Sequence, residues 1–432
     1  MKIFLSNDIP NKAIVYYTLQ LIAFNKAEKF VYVTERNGCN ISVGIGLENT
    51  IYLSEKFFQH LKEKKTDSKF HLNSSGRIVL PNSTSTDYLS TIFYYVNCVQ
   101  EYFATEHDQH ERYISANAAQ AKFGIKQNFV QLLIDEFCET VNELKYLKNK
   151  KRPSGFLLTH DIDFVYKSKN EDGMFALKNR RWAAIPKLLF NHYVGTPDWL
   201  NMHKIVAIEK RFDFTSNFFW LVKKDKQNSD YRFDSLDIQK QLQIIARSGG
   251  TNNLHKAIGN TSFDEELKWF TEKPDANRYH FLKFKVNDFK RIEEAEIKID
   301  TSLGFSDKFG FRNSYGLPFM PFDIEENRVL NFIEVPLNIM DRTFFNLRQT
   351  PEFSFSQVEH WMKENTNDCI FTINWHNNFF SELTYAGYEK FYIKMLEYFK
   401  ANNMKCYTMK DLKEEFLQPD FFTMPEHLSA EC

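Results

Sequence analysis

From residue 155 onward, short apolar runs alternate with amphipathic segments, and this alternation constrains the fold of the 432-residue chain more than any other feature. The run Asn217–Val222 is typical of a buried strand, and the amphipathic segment that follows it stops at Gly249-Gly250. The same order of strand and helix recurs as far as the last apolar run, 404–407. Because strands that alternate with helices form parallel sheets, we predict an α/β fold in which residues 151–432 form a distorted parallel (β/α) barrel of about seven strands.

The first 150 residues mix short strand-like runs with two helical patterns, which predicts a smaller accessory α/β domain over residues 1–150. One helix is predicted from Leu89 to Phe103 and a second from Phe129 to Leu144. The cations of the run 145–152 suit the end of the second helix. No residue pattern in this part points to chemistry, so we predict that it packs against the barrel or gates its substrate.

Composition and charge narrow the class of protein. Hydrophobic residues make up 43% of the chain and include 43 phenylalanines, which predicts a large core rich in aromatic side chains. A formal net charge of -1 gives no reason to propose nucleic-acid binding. No stretch approaches the ~18 uncharged apolar residues of a membrane span, and the apolar part of Met1–Asp8 is too short for a signal peptide.

The six cysteines form no Cys-x-x-Cys pair, so neither a zinc ribbon nor a redox motif is visible. Scattered cysteines suit a reducing compartment, and we therefore predict a cytoplasmic protein. These residues are Cys39, Cys98, Cys138, Cys369, Cys406 and Cys432.

Two carboxylates end a predicted buried strand in the run Leu157–Asp163. Since side chains alternate along a strand, Asp161 and Asp163 are expected to project the same way. Two carboxylates so near each other repel strongly, and this costs free energy unless a cation or a shared proton relieves the repulsion. The C-terminal edge of the strands is also where α/β enzymes bind ligands. The pair therefore indicates a catalytic or metal site, with a solvated turn or a helix cap as the alternative for these two residues alone.

Other polar residues recur at or near predicted strand ends. Together with the two carboxylates they supply imidazole ligands, a base, a cation to orient the base and an acid, which are the parts needed to hydrolyse an amide or an ester with metal-activated water. Each also has a structural alternative, namely a packed histidine, an ordinary ion pair or a turn cap. The residues are His255, Arg278, His280, Asp300, Arg312 and His376.

In the order and spacing of five motifs, residues 153 to 410 resemble the polysaccharide deacetylase family, the NodB-homology group of carbohydrate esterases. The first part of the chain is similar to the extra domain of a bacterial cell-envelope subgroup of that family. The motifs are Thr159-His160-Asp161-Ile162-Asp163, Leu254-His255, Asn277-Arg278-Tyr279-His280-Phe281-Leu282, Asp300-Thr301-Ser302-Leu303-Gly304-Phe305 with Gly310-Phe311-Arg312, and Trp375-His376-Asn377-Asn378-Phe379-Phe380.

The resemblance implies a role for each motif residue. The catalytic set would be Asp161 as base, Arg278 as the cation that orients it, and His376 as general acid. The metal ligands would be Asp163 and His255, with His280 as a weaker third candidate. The resemblance further implies a substrate-binding set, in which the aromatic residue offers a face for sugar stacking; this set is Asp300, Arg312 and Trp375.

One position departs from the family pattern. The common second motif is His-x-x-x-His, and Gly259 stands where the second histidine is expected. His280 can replace it if the third-motif strand lies beside the metal. Without a replacement for that histidine, the chain would be a degenerate relative of the family that binds carbohydrate but does not catalyse.

The resemblance implies a hydrolase, dependent on a divalent metal ion such as Zn²⁺, that removes acetyl groups from an N- or O-acetylated sugar. An intermediate of cell-surface polysaccharide synthesis inside the cell is the expected substrate. Two alternatives stay open: a carbohydrate-binding or scaffold protein that has lost catalysis, and an amidohydrolase that acts on a non-sugar amide. The sequence does not predict an oligomeric state.

Overall fold

The computed structural model describes residues 1–46, 48–63, 72–81, 83–186 and 196–429. Cys432, one of the six cysteines noted above, lies outside them. Within these ranges no helix has the length and apolar character needed to cross a membrane.

Strands and helices alternate after residue 155 as predicted. The strands are β1 Lys2–Leu5, β2 Val31–Val33, β3 Ile41–Gly44, β4 Ile51–Tyr52, β5 Gly155–Ile162, β6 Asn217–Trp220, β7 Thr251–Lys256, β8 Ala276–Tyr279, β9 Ile299–Asp300, β10 Phe322–Asp323, β11 Arg328–Val329, β12 Ile333–Glu334, β13 Ile339–Met340, β14 Ile370–Asn374 and β15 Lys405–Cys406. The helices are α1 Lys12–Asn25, α2 Glu55–Glu63, α3 Tyr88–Val96, α4 Val99–Tyr102, α5 Phe129–Thr140, α6 Ser168–Lys178, α7 Met202–Lys210, α8 Leu236–Arg247, α9 Phe263–Leu267, α10 Phe289–Glu294, α11 Asp341–Asn346, α12 Pro351–Glu364, α13 Tyr388–Ala401, α14 Met409–Phe416, α15 Pro419–Phe422 and α16 Glu426–Ser429.

The main sheet is parallel throughout and closes on itself. Its order is β12-β9-β8-β7-β6-β5-β14-β13, and β15 pairs with the start of β5. The two edge strands, β12 and β13, are parts of one segment that pairs with β9 at its start and with β14 at its end. Between them, the Val335 amide donates to the Asp300 carbonyl at 2.8 Å, and the Asn338 amide donates to the Thr372 carbonyl at 3.3 Å. The segment 333–340 therefore bridges β9 and β14. Counted as one strand, it completes a distorted parallel barrel of seven strand positions, which confirms the predicted fold class.

The N-terminal part is built on a second parallel sheet, of order β2-β1-β3-β4, with α1 buried almost along its whole length. Its apolar residues and those of one side of the barrel form a single hydrophobic core. The Tyr17 hydroxyl, for example, donates to the Met320 carbonyl at 2.9 Å. Residues 1–150 thus pack directly on the barrel, and their treatment as a separate domain stays a prediction.

Two predicted elements differ from those observed. The helix predicted from Leu89 to Phe103 is broken into α3 and α4, because Cys98 adopts a left-handed backbone with φ 50°. The apolar run 279–284 predicts a strand from the sequence, but the observed strand β8 ends at Tyr279. Phe281 and Leu282 both have positive φ, 58° and 53°, and form a tight turn after β8. This turn decides where His280 points, since the residue lies between the strand and the turn.

Candidate active site

Strand alternation brings three polar side chains together inside the barrel. The Asp161 carboxylate, near the end of β5, accepts from Arg278 Nη1 at 2.8 Å and from Asn374 Nδ2 at 2.7 Å. The same Arg278 nitrogen donates to Thr159 Oγ1 at 2.9 Å. Since β8 and β14 supply these donors from either side of β5, the strands themselves fix the position of the carboxylate.

The surroundings of Asp161 keep it ionised. Burial alone would raise its pKa, but the Arg278 guanidinium and the imidazole of His255 outweigh that effect and hold the pKa below its usual value. A buried carboxylate with a lowered pKa is in the charged form that a general base needs at neutral pH.

Three of the predicted metal ligands converge beside Asp161. One ligand atom each from Asp163, His255 and His280 lies within 4.8 Å of the others. Asp163 Oδ1 is 3.3 Å from His255 Nε2 and 3.6 Å from His280 Nε2. Among the described residues, Asp163 Oδ1 and His280 Nε2 have no hydrogen-bond partner although both are buried. Two such atoms facing each other indicate a site that is complete only with a bound cation.

The other ring nitrogen of each histidine is held by an acceptor, which decides the tautomer. His255 Nδ1 donates to the Arg278 carbonyl at 2.8 Å, and His280 Nδ1 lies 3.4 Å from Asn228 Oδ1. The Asn228 amide nitrogen donates to the Asp225 carboxylate at 3.0 Å, so its oxygen must face His280. Both Nε2 atoms therefore face the cluster, and each presents a lone pair when its ring is neutral, as metal ligation requires.

The ligand set fits a catalytic divalent site. Burial raises the pKa of Asp163, but His280, His255 and His376 lower it by more, so the carboxylate is ionised. Burial also lowers the pKa of His280, which favours the neutral imidazole that binds a metal. Burial lowers the pKa of His255, but Asp161 and Asp163 raise it by more, so this ring would release its Nε2 proton on binding a cation. Two imidazoles and one carboxylate, with no fourth protein ligand among the described residues, are typical of catalytic zinc sites with an open coordination position.

His376 faces the cluster from the end of β14. Its Nδ1 donates to Asp341 Oδ1 at 2.7 Å, and its backbone amide donates to Asp341 Oδ2 at 2.5 Å. Its Nε2 lies 3.7 Å from Asp163 Oδ2. Burial lowers the pKa of this histidine, but the Asp341 carboxylate outweighs burial and raises the pKa to about 9. His376 is therefore an imidazolium at neutral pH and has a proton to give.

Gly259 has a conformational reason to be glycine. Its φ of 115° lies in the left-handed region, which disfavours any other residue. It lines a separate cavity of about 850 Å³, beside Lys256 and Tyr279 rather than the histidine cluster. His280 occupies the third ligand position instead, so the departure at position 259 does not leave the cluster short of a ligand.

The three predicted substrate-binding residues lie away from the cluster, where other residues of the chain hold their side chains. Asp300 accepts from Asn277 Nδ2 at 2.7 Å, and since Asn277 precedes Arg278 on β8 it faces the opposite side of the sheet. Arg312 is buried and bonds Glu101 at 3.0 and 2.6 Å, which leaves no face for a substrate. Trp375 is fully buried, with its ring packed on Tyr388, Phe391 and Tyr392 of α13.

The structure also shows site residues that the sequence reasoning missed. Asp341 and Asn374 both end short apolar strands, so the rule applied elsewhere, polar residues at strand ends, could have found them. Asn228 lies in the loop after β6, and no sequence pattern marks it. Access to the cluster is from the side of Asp163 and His376, whose side chains are 16% and 14% exposed.

No protein-family model matches the chain, and no curated protein matches it either. Solved structures similar to it include a candidate polysaccharide deacetylase from Mycobacterium smegmatis, at 13% identity and a TM-score of 0.34 over 60% of this chain and 94% of that one. Another is a candidate polysaccharide deacetylase from Bordetella bronchiseptica involved in O-antigen biosynthesis, at 12% identity and a TM-score of 0.31 over 60% and 88% of the two chains.

A third similar structure is a mutant of a CE4-family pseudoenzyme in which enzymatic activity has been restored. It has 12% identity and a TM-score of 0.31 over 62% of this chain and 70% of that one.

Proposed function

We propose that this protein is a metal-dependent hydrolase of the polysaccharide deacetylase type, which removes acetyl groups from an N- or O-acetylated sugar. One observation carries the proposal: an ionised base, Asp161, and a protonated acid, His376, border a single Asp-His-His ligand cluster. General base, general acid and ligand set are the parts that hydrolytic deacetylation needs, and here they are neighbours: Asp161 lies 3.6 Å from His255, and His376 lies 3.7 Å from Asp163.

Asp163, His255 and His280 would hold the divalent ion, and their nitrogen and carboxylate donors suit Zn²⁺. When bound, such an ion polarises the acetyl carbonyl and lowers the pKa of water towards ~7.

The chain's own residues move the protons. Asp161 accepts a proton from the attacking water, while Arg278 and Asn374 hold its carboxylate in place. His376 then donates its Nε2 proton to the departing nitrogen or oxygen, and Asp341 holds the ring in the orientation this requires. Protonation matters most for an amide, because an amine leaves poorly without it.

An intermediate of cell-surface polysaccharide synthesis inside the cell is the substrate we propose. The described cysteines, Cys39, Cys98, Cys138, Cys369 and Cys406, are all free thiols, which supports a reducing compartment.

The test combines metal analysis with acetate release. Asp161→Asn keeps the shape of the side chain, so we expect it to retain bound metal while acetate release from acetylated sugars falls by ~10²–10⁴-fold. Asp234→Asn, which changes an exposed carboxylate paired with Arg232, is the matched control and should match the wild type in both. Full activity in Asp161→Asn would contradict the assignment of the base. No acetate from a metal-loaded wild type would instead identify a binding-only barrel.

A further inference from the structure

A second cavity, of about 520 Å³, lies at the C-terminal ends of the strands beside the catalytic cluster. Phe164 and Asn378 line it, and they come directly after Asp163 and close after His376 in the chain. Phe281 lines it as well and stacks on the His280 ring with centroids 4.0 Å apart. This cavity therefore adjoins the cluster on the side of Phe164, Phe281 and Asn378.

Cations surround the cavity in a regular way. Each lies within four positions of a residue of the site in the chain: Lys167 follows Asp163, Lys283 follows His280, Arg342 follows Asp341, and Lys226 precedes Asn228. The cations that line the cavity are thus close in the chain to residues that form the site.

These charges are only partly compensated. The cavity is lined by four cations and two carboxylates, Glu111 and Glu171, so its formal charge is 4 - 2 = +2 with His110 neutral. Glu111 is paired with Lys283 at 3.1 Å. In the described part of the chain, Lys167, Lys226 and Arg342 have no ion pair with a carboxylate. The whole chain carries a net charge of -1, so the excess is a local property.

The walls strengthen the effect of these charges. The Lys167 ammonium lies 3.2 Å from the centre of the Phe164 ring, which positions it without neutralising it. The fully buried Trp199 also lines the cavity, and its indole N–H has no partner among the described residues. Aromatic walls lower the local dielectric, so positive groups here attract an anion more strongly than the same groups on an open surface.

We propose that the acetylated sugar carries a negatively charged group, a phosphate ester or a carboxylate, which this cavity binds while the acetyl group faces the cluster. The proposal rests on the proposed deacetylase function for the acetylated part of the ligand. The charge of the ligand is inferred independently, from Lys167, Lys226 and Arg342.

The test measures binding separately from turnover. Calorimetry on metal-loaded Asp161→Asn would compare N-acetylglucosamine with N-acetylglucosamine 1-phosphate and with the corresponding C6 uronic acid. We expect an anionic probe to bind about tenfold more tightly than the neutral sugar at low ionic strength, with the advantage shrinking as salt is added. A preference for the phosphate over the uronic acid would identify a phosphate ester, and the reverse would identify a carboxylate.

Variants locate the effect. In the Asp161→Asn background, Arg342→Gln or Lys226→Gln should reduce the ratio of affinity for an anionic probe to affinity for the neutral sugar by several-fold. Lys410→Gln, on the exposed face of α14, should leave that ratio unchanged. Equal binding of charged and neutral probes, no binding of any probe, or an equal effect of Lys410→Gln would overturn the proposal. Selective binding of an anionic probe, together with no acetate release by the wild type, would retain the charge inference and reject deacetylation.

Discussion

At the scale of single residues, the three histidines of the site differ in the hydrogen-bond partner of the ring nitrogen that faces away from the cluster. His255 and His280 each have one nitrogen held by an oxygen acceptor, which leaves the other nitrogen for the cluster. His376 has a carboxylate behind it instead of a neutral oxygen, and its pKa is raised to about 9. The Asp341 carboxylate thus stabilises the imidazolium of His376, and the neutral oxygens beside His255 and His280 fix which nitrogen of each ring faces the cluster.

This difference predicts the effect of Asp341→Asn. The amide still accepts from His376 Nδ1 but no longer stabilises the imidazolium, so proton donation should weaken. We expect acetate release from an N-acetyl sugar to fall by up to about 10²-fold, and to fall less for an O-acetyl sugar, because an alkoxide needs the proton less than an amine does. Steady-state kinetics on both substrates measure the ratio.

The matched control for that variant is Glu364→Gln, which alters another carboxylate–histidine pair, with His360, on the exposed surface of α12. An equal loss for amide and ester in Asp341→Asn would mean that Asp341 supports the local structure and not the acid.

At the scale of strands and turns, alternation explains which site residues the sequence could predict. Asp161, Arg278 and Asn374 face the inside of the barrel, whereas Asp300 and Trp375 stand at strand ends but face outward. Position at a strand end was readable from the apolar runs. The side of the sheet that Asp300 faces could not be predicted from these runs, because β9 has only two residues and its register is set by hydrogen bonds to its neighbours.

The turn after β8 is a second element that the sequence did not predict. Phe281 holds a left-handed backbone that is unfavourable for a bulky residue, so its surroundings must maintain it. Arg112 of the N-terminal part donates to the Phe281 carbonyl at 3.0 Å, and the Phe281 ring lies between the rings of His280 and His110, at 4.0 and 5.7 Å. Contacts from outside the barrel therefore hold the turn that orients His280, a proposed metal ligand.

Arg112→Ala should accordingly weaken metal binding without touching a ligand. Loss of one hydrogen bond that fixes the turn is worth about 1 kcal/mol, which corresponds to roughly fivefold in affinity. Competition with a chelator of known affinity measures the change. Arg232→Ala, which removes an exposed arginine paired with Asp234, is the control. Unchanged metal affinity in Arg112→Ala would show that the barrel alone holds His280 in place.

At the scale of the whole molecule, buried charge lies where the N-terminal part meets the barrel. The Arg312–Glu101 ion pair joins the two parts, with both side chains at most 3% exposed. Nearby, Glu334 stands opposite Asp300 across β12 and β9. The sequence predicted both parts of the chain and the parallel barrel, but it did not predict this contact, because the residues involved are more than 200 positions apart.

The two buried carboxyl groups make stability depend on pH. Burial raises the pKa of Glu334 well above its usual value, and the neighbouring Asp300 raises it further; burial also raises the pKa of Asp300. The folded chain thus keeps a proton here that the unfolded chain releases above its ordinary carboxyl pKa, near ~4. The stabilisation is fully present below that value and is lost as pH rises through the higher pKa of the folded state.

Glu334→Gln should remove this dependence, since the amide donates a hydrogen bond to Asp300 at every pH and still accepts from the Leu303 amide through its oxygen. Relative to the wild type, the free energy of unfolding of the variant should rise with pH by up to about 1.4 kcal/mol per pH unit between the unfolded and folded pKa values. Urea unfolding at several pH values measures the difference, in a chelating buffer so that metal release adds no pH dependence of its own.

The control is Glu414→Gln, on the exposed face of α14, which should follow the wild type. Parallel pH profiles for Glu334→Gln and the wild type would mean that the two carboxyl groups share no proton. The contact between the two parts of the chain would then have to accommodate two further buried negative charges beside an arginine that is already paired with Glu101.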